Sequence, residues 1–360
     1  MNFESAVKFL KGFNPYEDKG FPAYTEKNFD LRRFRLFLEA YKLDYRKLAC
    51  VHIAGSKGKS TTCMIIGNYL FKKGYKVGIF TSPYIVDMTE YIWVNGRSFS
   101  KKEFAAEVAE LKEFLRDYKG DFPTYFEFLV AVALKIFIEN GVDFAVFEVG
   151  LGGRLDATNV IESKVAVLTK MEKEHTDILG KTYDKILDEK LGIFLGKKVG
   201  ELIVAKQSDY VESLIREKIG RFEKAGEIGN VFFVEKEGNL FLAFDVLKNL
   251  VGEVDEKFLE KVFQEVRLVG RVDLRFFEGK TVVFDMAHTK NSVRVLIEKL
   301  KEKFPRKKFL FLVSIMKNKN VKDVLEPIFD IGDEVVFTSS NFERGYKGED
   351  LQKFVMQNYG

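Results

Sequence analysis

The chain has 360 residues, 46% of them apolar and 31% charged, with a formal net charge of +4. That length allows two domains with cores of their own, since single cores stop growing near ~250–300 residues. The small positive excess leaves no footprint for a nucleic-acid partner, although it suits small anionic substrates.

Only two cysteines occur, Cys50 and Cys63, and neither belongs to a C-x-x-C pair. This excludes a disulfide scaffold and a thiolate metal site, and points to a reducing compartment. The N-terminal stretch Met1–Leu10 reads as an amphipathic helix rather than a signal peptide, and no apolar run reaches the roughly 20 residues of a membrane span. A cytoplasmic protein without a membrane partner is expected. Lys, Glu and Phe are abundant and Gln is scarce, a lean shared with heat-adapted proteins.

In chain order, a buried strand at Ala49–Ile53 runs into His52-Ile-Ala-Gly-Ser-Lys-Gly-Lys-Ser-Thr-Thr62, followed by helical spacing from Cys63 to Phe71. Strand, glycine-rich turn and helix N-terminus form a phosphate cradle. The glycines at 55 and 58 let backbone N–H groups approach an anion, and Lys59 adds a full charge. Ser60 or Thr61 would set a hydroxyl beside a phosphate-bound Mg²⁺. Ile53 stands where the first glycine of G-x-x-x-x-G-K-[ST] belongs, so the motif is the shorter G-x-x-G-K-[ST]-T; a plain surface turn is the competing reading.

A second strand, Val77–Phe80, ends in Thr81-Ser-Pro83, where Ser82 suits either Mg²⁺ and phosphate or an ordinary turn. Tyr91–Val94 with Asn95-Gly96 reads as an inserted hairpin. Helical spacing covers Lys102–Tyr118 and Phe126–Asn140. The strand Phe144–Val149 carries Glu148 at its end, a costly place for a carboxylate unless paired or metal-bound. The glycines of Gly150–Gly153 do not complete a dinucleotide fingerprint, since Arg154 and Asp156 follow at once. Val165–Leu168 precedes Glu174-His-Thr-Asp177, whose His175 suits a metal because it follows a strand end of the same sheet. Lys190, in Asp188-Glu-Lys-Leu-Gly192, reads by itself as a solvated helix lysine. After Leu202–Ala205, a β pair is expected at Val231–Val234 and Leu240–Phe244, then a helix near Glu256–Gln264.

A break at Arg267-Leu-Val-Gly-Arg271 separates a first domain, 1–268, from a second, 271–360. The second reads as another parallel α/β unit, with strands Thr281–Asp285, Lys308–Val313 and Glu334–Thr338 and helices Ser292–Phe304 and Val321–Ile328. Asp285-Met-Ala-His288 lies at its first strand end, where open α/β sheets place ligands.

These segments in this order, with Glu-Val-Gly-Leu-Gly-Gly-Arg-Leu-Asp-Ala-Thr-Asn over 148–159 the most specific, resemble the folylpolyglutamate synthase/dihydrofolate synthase family of the Mur ligase superfamily. The resemblance covers roughly residues 30–350. It implies an α/β fold, a P-loop-type doubly wound parallel sheet (the Mur ligase central domain) plus a smaller Rossmann-like C-terminal α/β domain. The implied activity is ATP-dependent addition of L-glutamate to dihydropteroate or a folate through an acyl phosphate. ATP would contact Gly55, Ser56, Gly58, Lys59, Ser60 and Thr61, with Asn239, Arg271 and Asp285 bridging both domains across a hinge at Leu268–Arg271. Mg²⁺, two ions, would be held by Ser82, Glu148, His175 and Lys190, the last carbamylated. Lys59, Lys190, His175 and His288 would serve the chemistry, His288 by placing glutamate. The pterin would lie near Thr124, Tyr125, Phe126 and Glu127 and near Leu155, Asp156 and Ala157, with Asp30 and Leu31 as weaker candidates. The partners would be these small molecules alone, met by a monomer.

Departures from the family pattern are Lys57 for Asn, Tyr84 for His, Glu174 for Asp, Thr289-Lys290 for Asn-Pro, and Ser314, Asn318 and Asn320 around Lys319. They cluster on the glutamate side. Competing readings are a muramyl-type ligase acting on a UDP-sugar and a non-catalytic nucleotide-binding protein. Retention of Glu148, His175 and Lys190 together argues against the second.

Overall fold

The computed structural model describes residues 1–13, 23–194, 200–223, 229–317, 319–340 and 345–359. Two compact units are present, Met1–Val266 and Arg267–Gly360. The first is built on an eight-stranded sheet among the described residues: β1 (Cys50–Ala54), β2 (Val77–Phe80), β3 (Ile92–Val94), β4 (Arg97–Ser98), β5 (Phe144–Glu148), β6 (Ser163–Leu168), β7 (Glu201–Val204) and β8 (Asn230–Phe233). Their spatial order is β4-β3-β2-β5-β1-β6-β7-β8. All pairings are parallel except those of β3 and β4, the hairpin turned at Asn95-Gly96 with positive φ at both residues.

Strand periodicity divides the core between the two faces of the sheet. Val51 and Ile53 of β1, with Val165 and Val167 of β6, join the core beneath helices Lys59–Lys72, Asn239–Val251 and Glu256–Glu265. Cys50 faces the opposite side, where helices Phe3–Lys11, Leu31–Ala40, Lys101–Asp117 and Tyr125–Glu139 bury an aromatic cluster around Phe34, Phe37 and Phe128. Ala54, Ala166 and Leu168 meet helices Tyr183–Leu191 and Asp209–Glu223. A doubly wound sheet results, buried on both faces, which is why its strands read as continuous apolar runs.

Two expectations fail. Leu240–Phe244 is not a strand but the first turns of the helix Asn239–Val251, and β8 pairs in parallel with β7 instead. The apolar run Leu-Phe-Leu-Ala-Phe is too short to separate the periods; Leu242, Ala243, Val246 and Leu247 are the buried set, spaced one helical turn apart. In the second unit, β10 (Lys280–Phe284) does not enter a common parallel sheet. It pairs antiparallel with β9 (Asp273–Phe277), joined by a tight turn at Glu278-Gly279, while β11 (Phe309–Val313) and β12 (Gly332–Phe337) form a separate parallel pair. Helices Lys290–Lys303, Val321–Phe329 and Gly348–Tyr359 supply the core of that unit around Val293, Leu325 and Leu351. Among the described residues no helix is long and apolar enough to cross a membrane.

Lys135 is a buried electrostatic hub of the first unit. Its ammonium meets Glu107 at 2.7 Å, Glu110 at 2.9 Å and Glu139 at 2.6 Å. Burial alone would lower its pKa, but the three carboxylates overcome this and raise it. Replacing Lys135 with Met should leave Glu107 shielded without its cation and lower the unfolding free energy by about 3 kcal/mol, measured by urea denaturation. A loss under a third of that would mark the cluster as a solvated surface network.

Candidate active site

The parallel register brings four strand ends together. Ile53 lies opposite Glu148 and Val167, and Phe80 opposite Phe147, so the loops after β1, β2, β5 and β6 leave the sheet side by side. This is the crevice outside the carboxyl ends where such sheets bind ligands.

The loop after β1 turns into the helix Lys59–Lys72 through Gly58, the N-cap, whose φ of +89° is left-handed. A Cβ there would stand 2.3 Å from Asn239 Oδ1, so only glycine lets Asn239 close over the loop. Gly58 makes no side-chain cap, so the first turn of this helix, which follows the end of β1, keeps backbone donors that no cap side chain satisfies. Lys59 Nζ donates to the Gly55 carbonyl at 3.1 Å. Ser56 Oγ donates to Glu172 O at 2.9 Å, tying the loop to the segment after β6.

Glu148 is almost completely buried. It accepts from Ser60 Oγ at 2.9 Å and from the Ser82 backbone N–H at 3.0 Å. One carboxylate therefore joins the ends of β5 and β2 to the first turn of the phosphate-loop helix. Of the two candidate hydroxyls, Ser60 rather than Thr61 reaches it. These are hard oxygen donors of the kind Mg²⁺ prefers, and they fit that ion. Among the described residues no three His, Cys, Asp or Glu side chains converge as a metal-holding group, so a metal here would rely on hydroxyls and substrate oxygens beside Glu148.

Lys190 is not a solvated lysine. It is 2% exposed, and its Nζ donates to the Gly55 carbonyl at 2.6 Å and to Glu174 Oε1 at 3.0 Å. Lys59 and Lys190 thus share one carbonyl acceptor. Burial first, and then the nearby Lys59 charge, lower the Lys190 pKa to about 8. Burial opposes ionisation of Glu174, yet Lys59 and Lys190 outweigh it and hold its carboxyl below the usual value. His175 follows with a left-handed φ of +48°, and its carbonyl accepts from Ile178 and Leu179 N–H. Sequence inspection missed the partnership of Glu174 with Lys190; a carboxylate beside the candidate histidine was the available signal.

The glycine-rich loop after β5 grips the helix that carries Lys190. Gly153 has φ of +157°, and a Cβ there would come within 2.8 Å of the Glu189 carbonyl. Arg154 N–H donates to that carbonyl at 2.7 Å, and its guanidinium pairs with Glu189 and Glu26. These glycines therefore serve close packing. Asp156 is buried and accepts from Leu151 N–H at 2.9 Å and Thr158 N–H at 3.0 Å; burial nevertheless raises its pKa. His52 Nε2 lies 2.8 Å from Thr158 Oγ1, linking β1 to this loop. Leu155 and Ala157 are buried beside it.

Thr124 caps the helix Tyr125–Glu139, and Glu127 closes the capping box while pairing with Arg33 at 2.6 Å. Glu127 is committed to structure. Asp30 likewise caps the helix Leu31–Ala40 and pairs with Arg32, with Leu31 the first residue of that helix. Phe126 meets Phe80 at a tilt and Tyr91 edge-on and lies against Gly150; Tyr125, its chain neighbour, is half-buried. Tyr24, which no motif signalled, accepts from Leu155 N–H and donates to Leu151 O.

In the second unit Asp285 accepts from Val272 N–H at 2.8 Å and Ala287 N–H at 2.7 Å, which fixes the loop after β10. His288 is exposed, with Nδ1 2.9 Å from the Met286 carbonyl, and Arg271 is exposed. Thr289 caps the next helix and Lys290 pairs with Glu326. Ser314 and Asn320 are described, the latter as a helix cap, whereas Asn318 lies outside the described residues.

The depressed Lys190 pKa has a direct consequence for stability. Unfolded lysine holds its proton to about pH 10.4, whereas folded Lys190 releases it near 8, so the folded state gains stability as pH rises through that window. The stability difference between wild type and Lys190→Met should shift toward wild type by roughly 2 kcal/mol between pH 8 and 10, read from urea midpoints. A flat difference would place the lysine in water.

Comparison with known proteins agrees with this architecture. Residues 53–230 match the Mur ligase middle domain. The dihydrofolate synthase/folylpolyglutamate synthase of Bacillus subtilis (strain 168) is 30% identical over 346 residues, spanning 85% of this chain and 80% of that protein. The fold is shared with Mycobacterium tuberculosis folylpolyglutamate synthase complexed with ADP, with a TM-score of 0.85 at 22% identity, covering 100% of this chain and 87% of that one. It is shared too with the Yersinia pestis bifunctional folylpolyglutamate synthase/dihydrofolate synthase complexed with AMPPNP and Mn ion, with a TM-score of 0.77 at 22% identity, covering 99% and 92%. With its glycine-rich phosphate loop, buried Glu148 and enclosed Lys190 at the strand ends, this chain belongs to the dihydrofolate synthase/folylpolyglutamate synthase family.

Proposed function

We propose that this chain is a cytoplasmic, monomeric ATP-dependent ligase that joins L-glutamate to the carboxyl group of dihydropteroate or a folate. The observation that carries the reading is the convergence of Lys59, Ser60, Glu148 and Lys190 on one phosphate loop. A muramyl-type ligase is disfavoured by the family membership, and a mere binding module has no use for a buried lysine beside a carboxylate. Both cysteines are free and buried, as suits a reducing compartment.

A carboxylate is a poor acylating agent and needs activation. A carboxylate oxygen of the pterin substrate attacks the γ-phosphorus of ATP, the bond to the β,γ-bridging oxygen breaks, and ADP leaves. The amine of glutamate then attacks the acyl carbon. The tetrahedral intermediate expels phosphate, and the amine loses a proton. Catalysis on this scheme is positioning and charge neutralisation. Lys59 leaves the Gly55 carbonyl for the phosphates, and the first-turn N–H groups hold them. Ser60, Ser82 and Glu148 would hold Mg²⁺, with His175 near a second ion; the metal supplies charge neutralisation on phosphate oxygens. Gly55, Ser56, Gly58, Thr61 and Asn239 shape the ATP site of the first unit. Phe126 and the Leu155–Ala157 loop receive the pterin.

The decisive assay is phosphate release that requires ATP, a pterin substrate and L-glutamate together, with products identified for dihydropteroate and folate separately. Lys59→Ala should reduce turnover by at least about 100-fold with the fold intact by circular dichroism. Release of phosphate that is independent of the pterin would overturn the assignment.

Lys190 is the residue for carbamylation, which requires a neutral amine and CO₂. Its burial and lowered pKa supply the first. In protein held under bicarbonate, native mass should show a gain of about 44 Da (one CO₂ added to one amine) that is absent in Lys190→Met, and activity should fall after CO₂ removal. A plain amine in the active enzyme would exclude this.

A further inference from the structure

Gln207, three residues beyond β7, is 4% exposed and takes no part in the scheme above. Its Nε2 donates to the carbonyls of Thr169 at 3.1 Å and Ala205 at 3.0 Å, and its Oε1 accepts from Met171 N–H at 3.0 Å. Acceptor and both donors of the amide are used. They grip the backbone on either side of Lys170.

The Met171 N–H belongs to the same peptide unit as the Lys170 carbonyl. That carbonyl accepts from the N–H groups of both Ser56 and Lys57, each at 3.0 Å. In a planar trans peptide the N–H and C=O point in opposite directions, so fixing one aims the other. A continuous relay results: the loop N–H groups, the 170–171 peptide, the Gln207 amide. Each bond polarises the next.

We propose that Gln207 is a positioning residue of the phosphate loop, acting through the Lys170 carbonyl to hold Ser56 and Lys57 inward. With those two N–H groups committed inward, the following residues, Gly58 to Thr61, are set to face the anion. A simple tie between the ends of β6 and β7 would use only the donors to Thr169 and Ala205; the acceptor role toward Met171 is what reaches the loop. The inference rests on the reading of this loop as the ATP site.

The test uses the full chain and ADP as probe. Gln207→Met keeps length and removes all three bonds. It should weaken ADP binding about tenfold and raise the KM for ATP similarly, while the KM for L-glutamate stays within twofold. Ile203→Ala, which removes buried volume in β7 without touching the relay, should lower Tm at least as much as Gln207→Met yet leave ADP binding unchanged. Native-state hydrogen exchange of the unmutated chain needs no variant to fold: Ser56, Lys57 and Met171 amides should share one opening free energy. The proposal is overturned if folded Gln207→Met binds ADP as wild type does, if Ile203→Ala weakens ADP equally, or if the three amides open independently. A wild-type chain that binds no ADP defeats the ligase reading itself, and the exchange measurement still decides whether the relay exists.

Discussion

Removing a carboxylate from water costs several kcal/mol unless donors surround it. Glu148 lies at the end of a strand buried on both faces, so those donors must come from neighbouring strand ends. They do: Ser60 from the helix after β1, and the Ser82 backbone from the loop after β2. Parallel pairing of β1 and β2 with β5 makes this possible, because only same-direction strands deliver their following loops to one edge. The position of the carboxylate, the start of the phosphate-loop helix and the course of the loop at Ser82 are one solved constraint.

Charge crowding supplies the second constraint. Two lysines meet at the Gly55 carbonyl, an arrangement eased by Glu174, which pairs with Lys190, and by the lowered pKa of that lysine. Under the proposed function, a polyphosphate would relieve this crowding by drawing Lys59 outward. The resting geometry is therefore biased toward anion capture before any ligand arrives, a form of electrostatic preorganisation.

The central sheet was legible because β1, β5 and β6 are apolar at successive positions and are followed by glycine or charged strand ends. The burial of Glu148 against the loop after β1 was legible in part, because a carboxylate at the end of an apolar strand demands a partner, here Ser60 and the Ser82 backbone. Leu240–Phe244 misled because five apolar residues fit either period, and burial at Leu242, Ala243, Val246 and Leu247 is decided by tertiary packing. In the second unit, the antiparallel partner of β10 escaped because Asp273–Phe277 mixes charged and exposed aromatic residues. Lys190 was legible only by resemblance, since its acceptors, Gly55 and Glu174, lie 135 and 16 residues away. Tyr24, Arg33 and Gln207 carry no motif at all; their meaning is created by partners that the fold brings to them.

The glycine N-cap of the helix Lys59–Lys72 has a thermodynamic corollary. Most of the described helices begin with a side chain that satisfies the first turn, among them those capped by Ser100, Thr124 and Thr182. This one begins with a residue that has none to offer. Under the proposed function the missing cap, worth about 1 kcal/mol in an ordinary helix, is left for the nucleotide to provide. Nucleotide would then be a structural component of the first unit as well as a substrate, and the free energy of folding a function of its concentration, rising by about 2.7 kcal/mol at a hundredfold excess over Kd. A cell depleted of ATP would hold not merely an idle enzyme but a measurably softer one.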